Sequence, residues 1–281
     1  MTHWTTLVQA EDLADRLDDG GVVILDCRFA LSDPAAGEHA YQQSHIPTAV
    51  YVHLDRDLSD HRKQQQGRHP WPDAADFTAM LGARGVTRQS QVVAYDDSDG
   101  GYAARLWFLL RALGHETVAV LDGGWTRWKA AGLPFESAVR NATASRYEAR
   151  FDSGLLLDAQ QVQAHLDDGG MLVDARAAER FRGEVEPLDR VAGHVPGAVN
   201  RPYADNLSNG RFKPANTLRG EFDALRAQHD PDEVVVMCGS GVTACHHLLA
   251  MEHAGLYGAR LFAPSWSGWI ADTTRAVATG L

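Results

Sequence analysis

The chain has 281 residues, which is long enough for about two globular domains. Hydrophobic residues make up 44% of the sequence and charged residues 22%, as in an ordinary globular protein. The 26 basic and 37 acidic residues give a net charge of −11, which argues against a nucleic-acid or membrane surface as the partner. Three widely spaced cysteines fit neither a disulfide framework nor a four-ligand zinc site.

Short apolar runs alternate with helical patterns along the first half of the chain. The predicted strands are 22–26, 49–55, 92–96 and 117–122, and the predicted helices are 10–17, 76–85, 103–114 and 126–132. In the second half, a strand at 234–237 leads through a short loop into a helix at 244–255. Fully apolar strands between helices predict an α/β fold, in which helices cover both faces of a parallel sheet.

The sequence offers no membrane or export signal. Its apolar runs are far shorter than the roughly 20 residues of a membrane-spanning helix. Residues 1–17 have neither the basic nor the apolar region of a signal peptide, so we expect a cytoplasmic protein.

Four segments of the first half recur in the second half, in the same order and at nearly constant spacing. The pairs are 22–28 with 171–176, 45–50 with 194–199, 92–98 with 235–240, and 124–128 with 265–269. Such a pattern indicates a duplicated domain. We predict one domain over residues 1–140, a linker over 141–156 and a second domain over 157–281.

Cys238 directly follows an apolar strand and precedes Gly239, Gly241 and a helix. The glycines allow successive backbone N–H groups to converge at the helix N-terminus, which stabilises an anion. We therefore expect Cys238 to be a thiolate nucleophile. The matching residue of the first half is Asp96, which cannot act as a thiol, so only the second domain is expected to be active.

Other cysteine or metal chemistry is disfavoured. A cysteine-dependent phosphatase needs an arginine where Ala244 stands. Cys27 and Cys245 are expected to be packed thiols. His246 and His253 share a helix face without a third ligand, so we predict no metal site.

The repeat, its two His-(Ile/Val)-Pro motifs, the Trp-x-x-Trp pairs and the loop Cys-Gly-Ser-Gly-Val-Thr-Ala at 238–244 resemble the two-domain rhodanese-type sulfurtransferases. The likeness covers nearly the whole chain and implies two tandem rhodanese-like domains. The loop is similar to that of 3-mercaptopyruvate sulfurtransferases, whereas thiosulfate sulfurtransferases typically carry Arg-Lys after the cysteine. A neutral loop suits the single carboxylate of mercaptopyruvate better than the compact thiosulfate dianion.

The resemblance also implies a mechanism without a cofactor. Cys238 would take the sulfur of 3-mercaptopyruvate as a persulfide, release pyruvate, and pass the sulfur to a thiol such as thioredoxin or to cyanide. Thiosulfate is the alternative donor, with the same persulfide. The alternative of another class is a noncatalytic rhodanese-type binding module.

The resemblance assigns roles to individual residues. The implied catalytic residues are Cys238, Ser240 and His45, and the implied substrate-binding residues are Arg180, Arg190, Gly239, Gly241, Val242 and Thr243. Ser240 would hydrogen-bond the substrate carbonyl or relay a proton. Arg182 competes with Arg190 as the second carboxylate-binding arginine, and Asp33 is the nearest acid for a set with His45 and Ser240. His45 also has a structural interpretation, because His194 occupies the same repeat position.

Overall fold

The computed structural model describes residues 3–97, 99–139 and 142–280 and divides the chain into two compact units. The first unit comprises Met1–Asp60 and Pro72–Asp152, and the second comprises His61–Trp71 and Ser153–Leu281. The segment His61–Trp71 therefore belongs to the second unit, although its sequence position lies within the first half. Residues 140 and 141, beside and within the predicted linker, lie outside the described part of the chain.

The first unit is built on a five-stranded parallel sheet with the strand order β1-β5-β4-β2-β3. Its strands are β1 (Leu7–Val8), β2 (Val22–Asp26), β3 (Val50–Tyr51), β4 (Gln91–Tyr95) and β5 (Val118–Leu121). Its helices are α1 (Ala10–Ala14), α2 (Ala36–Gln43), α3 (Leu54–Asp57), α4 (Ala74–Ala83), α5 (Gly101–Ala112) and α6 (Gly124–Ala130). The predicted parallel α/β architecture is confirmed for this unit.

Burial on both faces explains why β4 is apolar throughout. Val93 and Tyr95 point into one core cluster, which includes Leu13 of α1 and both tryptophans of α6, Trp125 and Trp128. The alternate strand residues face the other side of the sheet, and α5 packs against β4 and β5. The first Trp-x-x-Trp pair thus fixes a helix to the sheet.

The strand predicted over 49–55 is wrong in its second half. Strand β3 covers only Val50–Tyr51, and α3 begins at Leu54. The His53 side chain accepts hydrogen bonds from the backbone amides of Asp55 and Arg56, so this residue caps a helix instead of extending the strand.

The second unit repeats the arrangement, with the sheet order β6-β12-β11-β7-β8 and parallel pairing throughout. Its sheet strands are β6 (Leu156–Leu157), β7 (Met171–Asp174), β8 (Val199–Asn200), β11 (Val234–Met237) and β12 (Arg260–Phe262). The short strands β9 (Leu207–Ser208) and β10 (Arg211–Phe212) form an antiparallel hairpin. Its helices are α7 (Ala159–Asp167), α8 (Ala178–Phe181), α9 (Ala215–Arg226), α10 (Ala244–His253) and α11 (Ser265–Trp269), and 3₁₀ turns cover Ser153–Leu155, Tyr203–Asn206 and Pro231–Glu233.

Strand β11 is the middle strand of this sheet and is buried along its whole length. Its carboxyl end therefore delivers the next residue, Cys238, to the edge where ligands bind in open parallel sheets. Trp266 and Trp269 pack in the core of this unit, as Trp125 and Trp128 do in the first. Within the described residues, no helix combines the length and the apolar character that crossing a membrane requires.

Candidate active site

Cys238 lies at the start of the loop between β11 and α10. Its thiol is buried, and the Gly241 backbone N–H donates a hydrogen bond to Sγ at 3.2 Å. Gly241 has φ +76°, and a Cβ at this position would lie 2.2 Å from the carbonyl oxygen of Ala263. Only glycine fits there without displacing backbone, and this conformation aims the amide at the sulfur.

Residues at the start of α11 form hydrogen bonds with the backbone of Cys238. Ser265 Oγ accepts the Cys238 backbone N–H at 3.0 Å and donates to the carbonyl of Phe262 at 2.9 Å. The amides of Trp266 and Ser267 donate to the carbonyls of Cys238 and Gly239. The first residue of the loop is therefore held at both of its backbone polar groups.

The remaining predicted loop residues form the turn into α10. Val242 is buried and Thr243 occupies the N-cap position, where its side chain makes no capping hydrogen bond. The Cys245 thiol donates to the Gly241 carbonyl at 3.3 Å, and Cys27, in the first unit, lies 3.8 Å from the carbonyl of Leu25. Both are buried free thiols, in keeping with the packing role expected of them.

Ser240 is hydrogen-bonded to a histidine that the sequence analysis did not select. Ser240 Oγ lies 2.8 Å from Nδ1 of His69, and both side chains are buried. His69 belongs to the segment His61–Trp71, which is grouped with the second unit. The available signal was a long stretch without helical or strand periodicity between α3 and α4, because such loops inside compact domains are usually functional.

Two guanidinium groups lie over Gly239. A Cβ at Gly239 would be 3.1 Å from Arg68 Nη2 and 3.7 Å from both terminal nitrogens of Arg180. The absence of a side chain at Gly239 therefore leaves both cations close to the cysteine loop. Arg180 was predicted from the sequence, whereas Arg68, the neighbour of His69, was missed for the same reason as His69.

Acidic side chains hold these arginines. Asp189 accepts from Arg68 Nη1 at 2.7 Å through Oδ1 and from Arg180 Nη2 at 3.2 Å through Oδ2. Glu186 accepts from Nε and Nη2 of Arg180. Burial raises the pKa of the Glu186 carboxyl, but hydrogen bonds from Arg180 and from the amides of Leu188 and Asp189 outweigh it, and the net pKa is lowered. Glu186 is thus ionised beside Arg180 at neutral pH.

The two candidates for a second carboxylate-binding arginine are engaged elsewhere. The Arg190 guanidinium donates to the backbone carbonyl of Ile270. Arg182 forms an ion pair with Glu184 at 2.8 Å on the surface. The arginine that accompanies Arg180 at the loop is Arg68.

His45 lies in the first unit and is completely buried. Its Nδ1 lies 2.7 Å from the carbonyl oxygen of Tyr41, its ring stacks on Tyr41, and its backbone pairs with Glu136. His194 has the same surroundings in the second unit: Nδ1 lies 2.8 Å from the Phe181 carbonyl and the ring stacks on Phe181. Asp33 is exposed and accepts from the amide of Ala35.

Asp96, the counterpart of Cys238, fills its own loop with a carboxylate. Its Oδ1 accepts from the Gly100 amide, and its Oδ2 accepts from the amides of Tyr102 and Ala103, each at 3.0 Å. These amides belong to the N-terminal end of α5, which favours negative charge. The anion site of the first unit is therefore occupied by the protein itself.

The histidines of α10 take part in a buried network. Asn206 Nδ2 lies 3.0 Å from Nδ1 of His246 and 2.8 Å from Nδ1 of His247. His247 Nε2 lies 2.6 Å from the Arg201 carbonyl, and burial lowers the pKa of His247 to about 3. This histidine is a neutral structural group that anchors the helix following the cysteine loop.

Comparison with known proteins agrees with this architecture. The sequence model of the rhodanese-like domain family matches residues 9–131 and 158–272 of this chain. The chain is 50% identical over 278 residues to a probable 3-mercaptopyruvate sulfurtransferase of Pseudomonas aeruginosa, covering 98% of each chain. It is 40% identical over 283 residues to a putative thiosulfate sulfurtransferase of Mycobacterium tuberculosis, covering 98% of this chain and 97% of that one. The crystal structure of SseA from Escherichia coli, described as a 3-mercaptopyruvate sulfotransferase with the rhodanese fold, has a TM-score of 0.81 and 31% identity, covering 94% of this chain and 100% of that chain.

The chain belongs to the family of rhodanese-like proteins and contains two copies of the domain. Within that family, it is a sulfurtransferase. The resemblance and the enzyme class predicted from the sequence are confirmed.

Proposed function

We propose that the enzyme transfers sulfur from 3-mercaptopyruvate to a thiol or to cyanide through a persulfide on Cys238. The observation that carries the choice of donor is the 2.8 Å contact between Ser240 Oγ and His69 Nδ1, two residues along the loop from the cysteine. Pyruvate leaves such a reaction as an enolate, which needs a proton, whereas sulfite leaves thiosulfate as a stable anion. The Ser240 hydroxyl, hydrogen-bonded to the His69 imidazole, can supply the proton that the mercaptopyruvate reaction needs and that the thiosulfate reaction does not need.

Sulfur loading begins with attack of the Cys238 thiolate on the sulfur of mercaptopyruvate. The new S–S bond forms as the C–S bond breaks, and the electron pair of that bond goes to the carbon of the departing enolate. Ser240, hydrogen-bonded to His69, donates to the enolate oxygen and supports its protonation to pyruvate. The Gly241 N–H, which already donates to Cys238 Sγ, stabilises negative charge on the sulfur.

Arg180 and Arg68 supply the carboxylate site. Their guanidinium groups lie near the Cβ position of Gly239, one residue from the nucleophile. Because Glu186 and Asp189 accept from Nε and Nη2 of Arg180 and from Nη1 of Arg68, the donor carboxylate would accept one hydrogen bond from Arg180 Nη1 and one from Arg68 Nη2, which orients the keto acid. The lack of a side chain at Gly239 lets both guanidinium groups approach the loop.

In the second half-reaction, an acceptor thiolate or cyanide attacks the outer sulfur of the persulfide and regenerates the Cys238 thiolate.

All three cysteines are free thiols, which fits a reducing compartment, and we propose that the enzyme is cytoplasmic.

Thiosulfate is the second candidate donor. It is supported by the 40% identity to a protein named as a putative thiosulfate sulfurtransferase and by the two guanidinium groups at the loop. The same Cys238 persulfide would form, with sulfite as the leaving group.

Parallel assays of the two donors test this proposal. We expect pyruvate release from mercaptopyruvate to exceed sulfite release from thiosulfate in kcat/KM, with cyanide as the common acceptor. Replacement Ser240→Ala should slow the mercaptopyruvate reaction about a hundredfold and the thiosulfate reaction far less, because only the first needs a proton donor. Faster turnover of thiosulfate by the unmodified enzyme would assign the site to thiosulfate, and equal losses for both donors in the variant would contradict the role of Ser240 in selecting the donor.

A further inference from the structure

The carboxylate of Asp189 is buried between the two arginines at the cysteine loop. Its side chain is 5% exposed, and its two oxygens pair with different cations, Arg68 at 2.7 Å and Arg180 at 3.2 Å. The backbone N–H of Asp189 donates to Glu186 at 3.1 Å, so the segment that carries it is fixed. Asp189 therefore joins the two guanidinium groups rather than screening one of them from outside.

The arginines and acids that pair with one another at the loop balance in charge. Arg180 pairs with Asp189 and Glu186, and Arg176 pairs with Glu186 and with Asp174. With Arg68, three cations stand against the three carboxylates of Asp174, Glu186 and Asp189. Two arginines at a loop suggest a strongly positive site, but the paired acids leave this cluster without a net charge.

We propose that Asp189 sets the preference of the site for a donor with one negative charge, an α-keto acid, over a dianionic donor such as thiosulfate. This inference rests on the proposed persulfide chemistry at Cys238. Asp189 acts through Arg68 and Arg180 and is a positioning residue: it holds the two guanidinium groups in place and limits the positive charge that they present to a donor.

The physical reason is the dependence of Coulomb energy on ligand charge. Removing the negative charge of Asp189 makes the net charge of the site more positive by one unit. A dianion gains twice as much Coulomb energy from this change as a monoanion does. Because the site is partly open to solvent, we expect the ratio of kcat/KM for thiosulfate to that for mercaptopyruvate to rise about tenfold.

The experiment measures kcat/KM for both donors, with cyanide as acceptor, in the unmodified enzyme and in Asp189→Asn. Glu184→Gln is the matched control, because it removes the same charge from the same loop but from an exposed pair with Arg182. Asp189→Ser is a second variant that removes the charge with a smaller side chain, and Asp189→Glu keeps the charge. We expect the thiosulfate to mercaptopyruvate ratio to rise in both neutral variants and to stay near the unmodified value in Asp189→Glu and Glu184→Gln.

An unchanged ratio in every folded neutral variant, or an equal rise in Glu184→Gln, would overturn the role of Asp189. A ratio that falls in the neutral variants would also overturn it, because the loss of one negative charge beside the donor must favour the dianion. Failure of the underlying function looks different, since the unmodified enzyme would then form no Cys238 persulfide from either donor.

Discussion

The loops at Asp96 and Cys238 show how one frame can hold an anion in two different ways. Each follows a strand that lies in the middle of its sheet, β4 or β11, and each is backed by a residue in the left-handed region, Gly124 with φ +51° or Ser265 with φ +52°. In the first unit, a carboxylate accepts hydrogen bonds from three backbone amides, and we expect it to take no part in sulfur transfer. In the second unit, a thiol takes this position, and sulfur can be both nucleophile and carrier.

The supporting structure of the two units is shared in detail. Arg28 forms a bidentate pair with Asp26 and donates to the Ser44 carbonyl at 2.7 Å. Arg176 pairs in the same way with Asp174 and donates to the Gly193 carbonyl, also at 2.7 Å. The duplication therefore preserved the frame, and in the proposed mechanism activity depends on the residue at the end of the middle strand and on the side chains brought to its loop.

The largest expected effect separates the two loops directly. Replacement Cys238→Ser should lower kcat/KM with mercaptopyruvate more than about a thousandfold, because the hydroxyl of serine cannot carry the sulfur. Cys245→Ser is the control and should keep most of the activity, since the hydroxyl of serine can make the hydrogen bond that this thiol donates to the Gly241 carbonyl. Steady-state pyruvate release measures both; comparable losses would mean that the second thiol takes part.

The next effect distinguishes the two histidines. We expect His69→Gln to reduce turnover of mercaptopyruvate about a hundredfold, because Ser240 loses its imidazole partner. His45→Gln should change kcat for the folded enzyme far less, although it can lower stability, since His45 is buried against Tyr41. The double variant Ser240→Ala/His69→Gln should be no slower than either single variant. A larger kcat loss in His45→Gln would return the proton role to that residue.

The sequence predicts some of these features and misses others. The repeat, the parallel sheets, the tryptophan pairs and the positions of Cys238 and Asp96 follow from local patterns, because an apolar strand and a glycine-rich turn are written in adjacent residues. His69 and Arg68 could not be found this way, since their segment lacks periodicity and its assignment to the second unit depends on long-range packing. The pairing of Asp189 with both arginines likewise depends on tertiary geometry.

A stability measurement tests the structural role of Asp96 in the first unit. Replacement Asp96→Ala should lower the free energy of unfolding by about 2 kcal/mol, because three amides at the start of α5 lose their acceptor. The exposed neighbour provides the control, and Asp97→Ala should stay within about 0.5 kcal/mol. Denaturant unfolding measures the change. Sulfur transfer per folded molecule should not change, and a loss of it would mean that the first loop contributes to the chemistry.

The smallest effect concerns the helices that follow the two loops. Helix α5 buries Arg105, whose charge is permanent, whereas α10 buries His247, whose pKa is lowered to about 3. As pH falls below about 6.5, His247 binds a proton in the unfolded chain but stays neutral in the folded chain. The free energy of unfolding therefore decreases by up to about 1.4 kcal/mol per pH unit.

Unfolding titrations between pH 7 and pH 4.5 compare the enzyme with His247→Gln, whose amide can replace both hydrogen bonds of the imidazole. The variant should lose less stability over this range than the unmodified enzyme. Parallel curves for the two proteins would contradict a neutral, buried His247.

The intact mass of the protein after brief exposure to 3-mercaptopyruvate, without an acceptor, tests most directly whether Cys238 carries the sulfur. We predict a gain of about 32 Da, one sulfur atom, in the unmodified enzyme and none in Cys238→Ser, which retains Cys27 and Cys245. The gain should disappear when cyanide is added. A sulfur adduct on the Cys238→Ser variant, or no adduct on the unmodified enzyme, would contradict the assignment of Cys238 as the sulfur carrier.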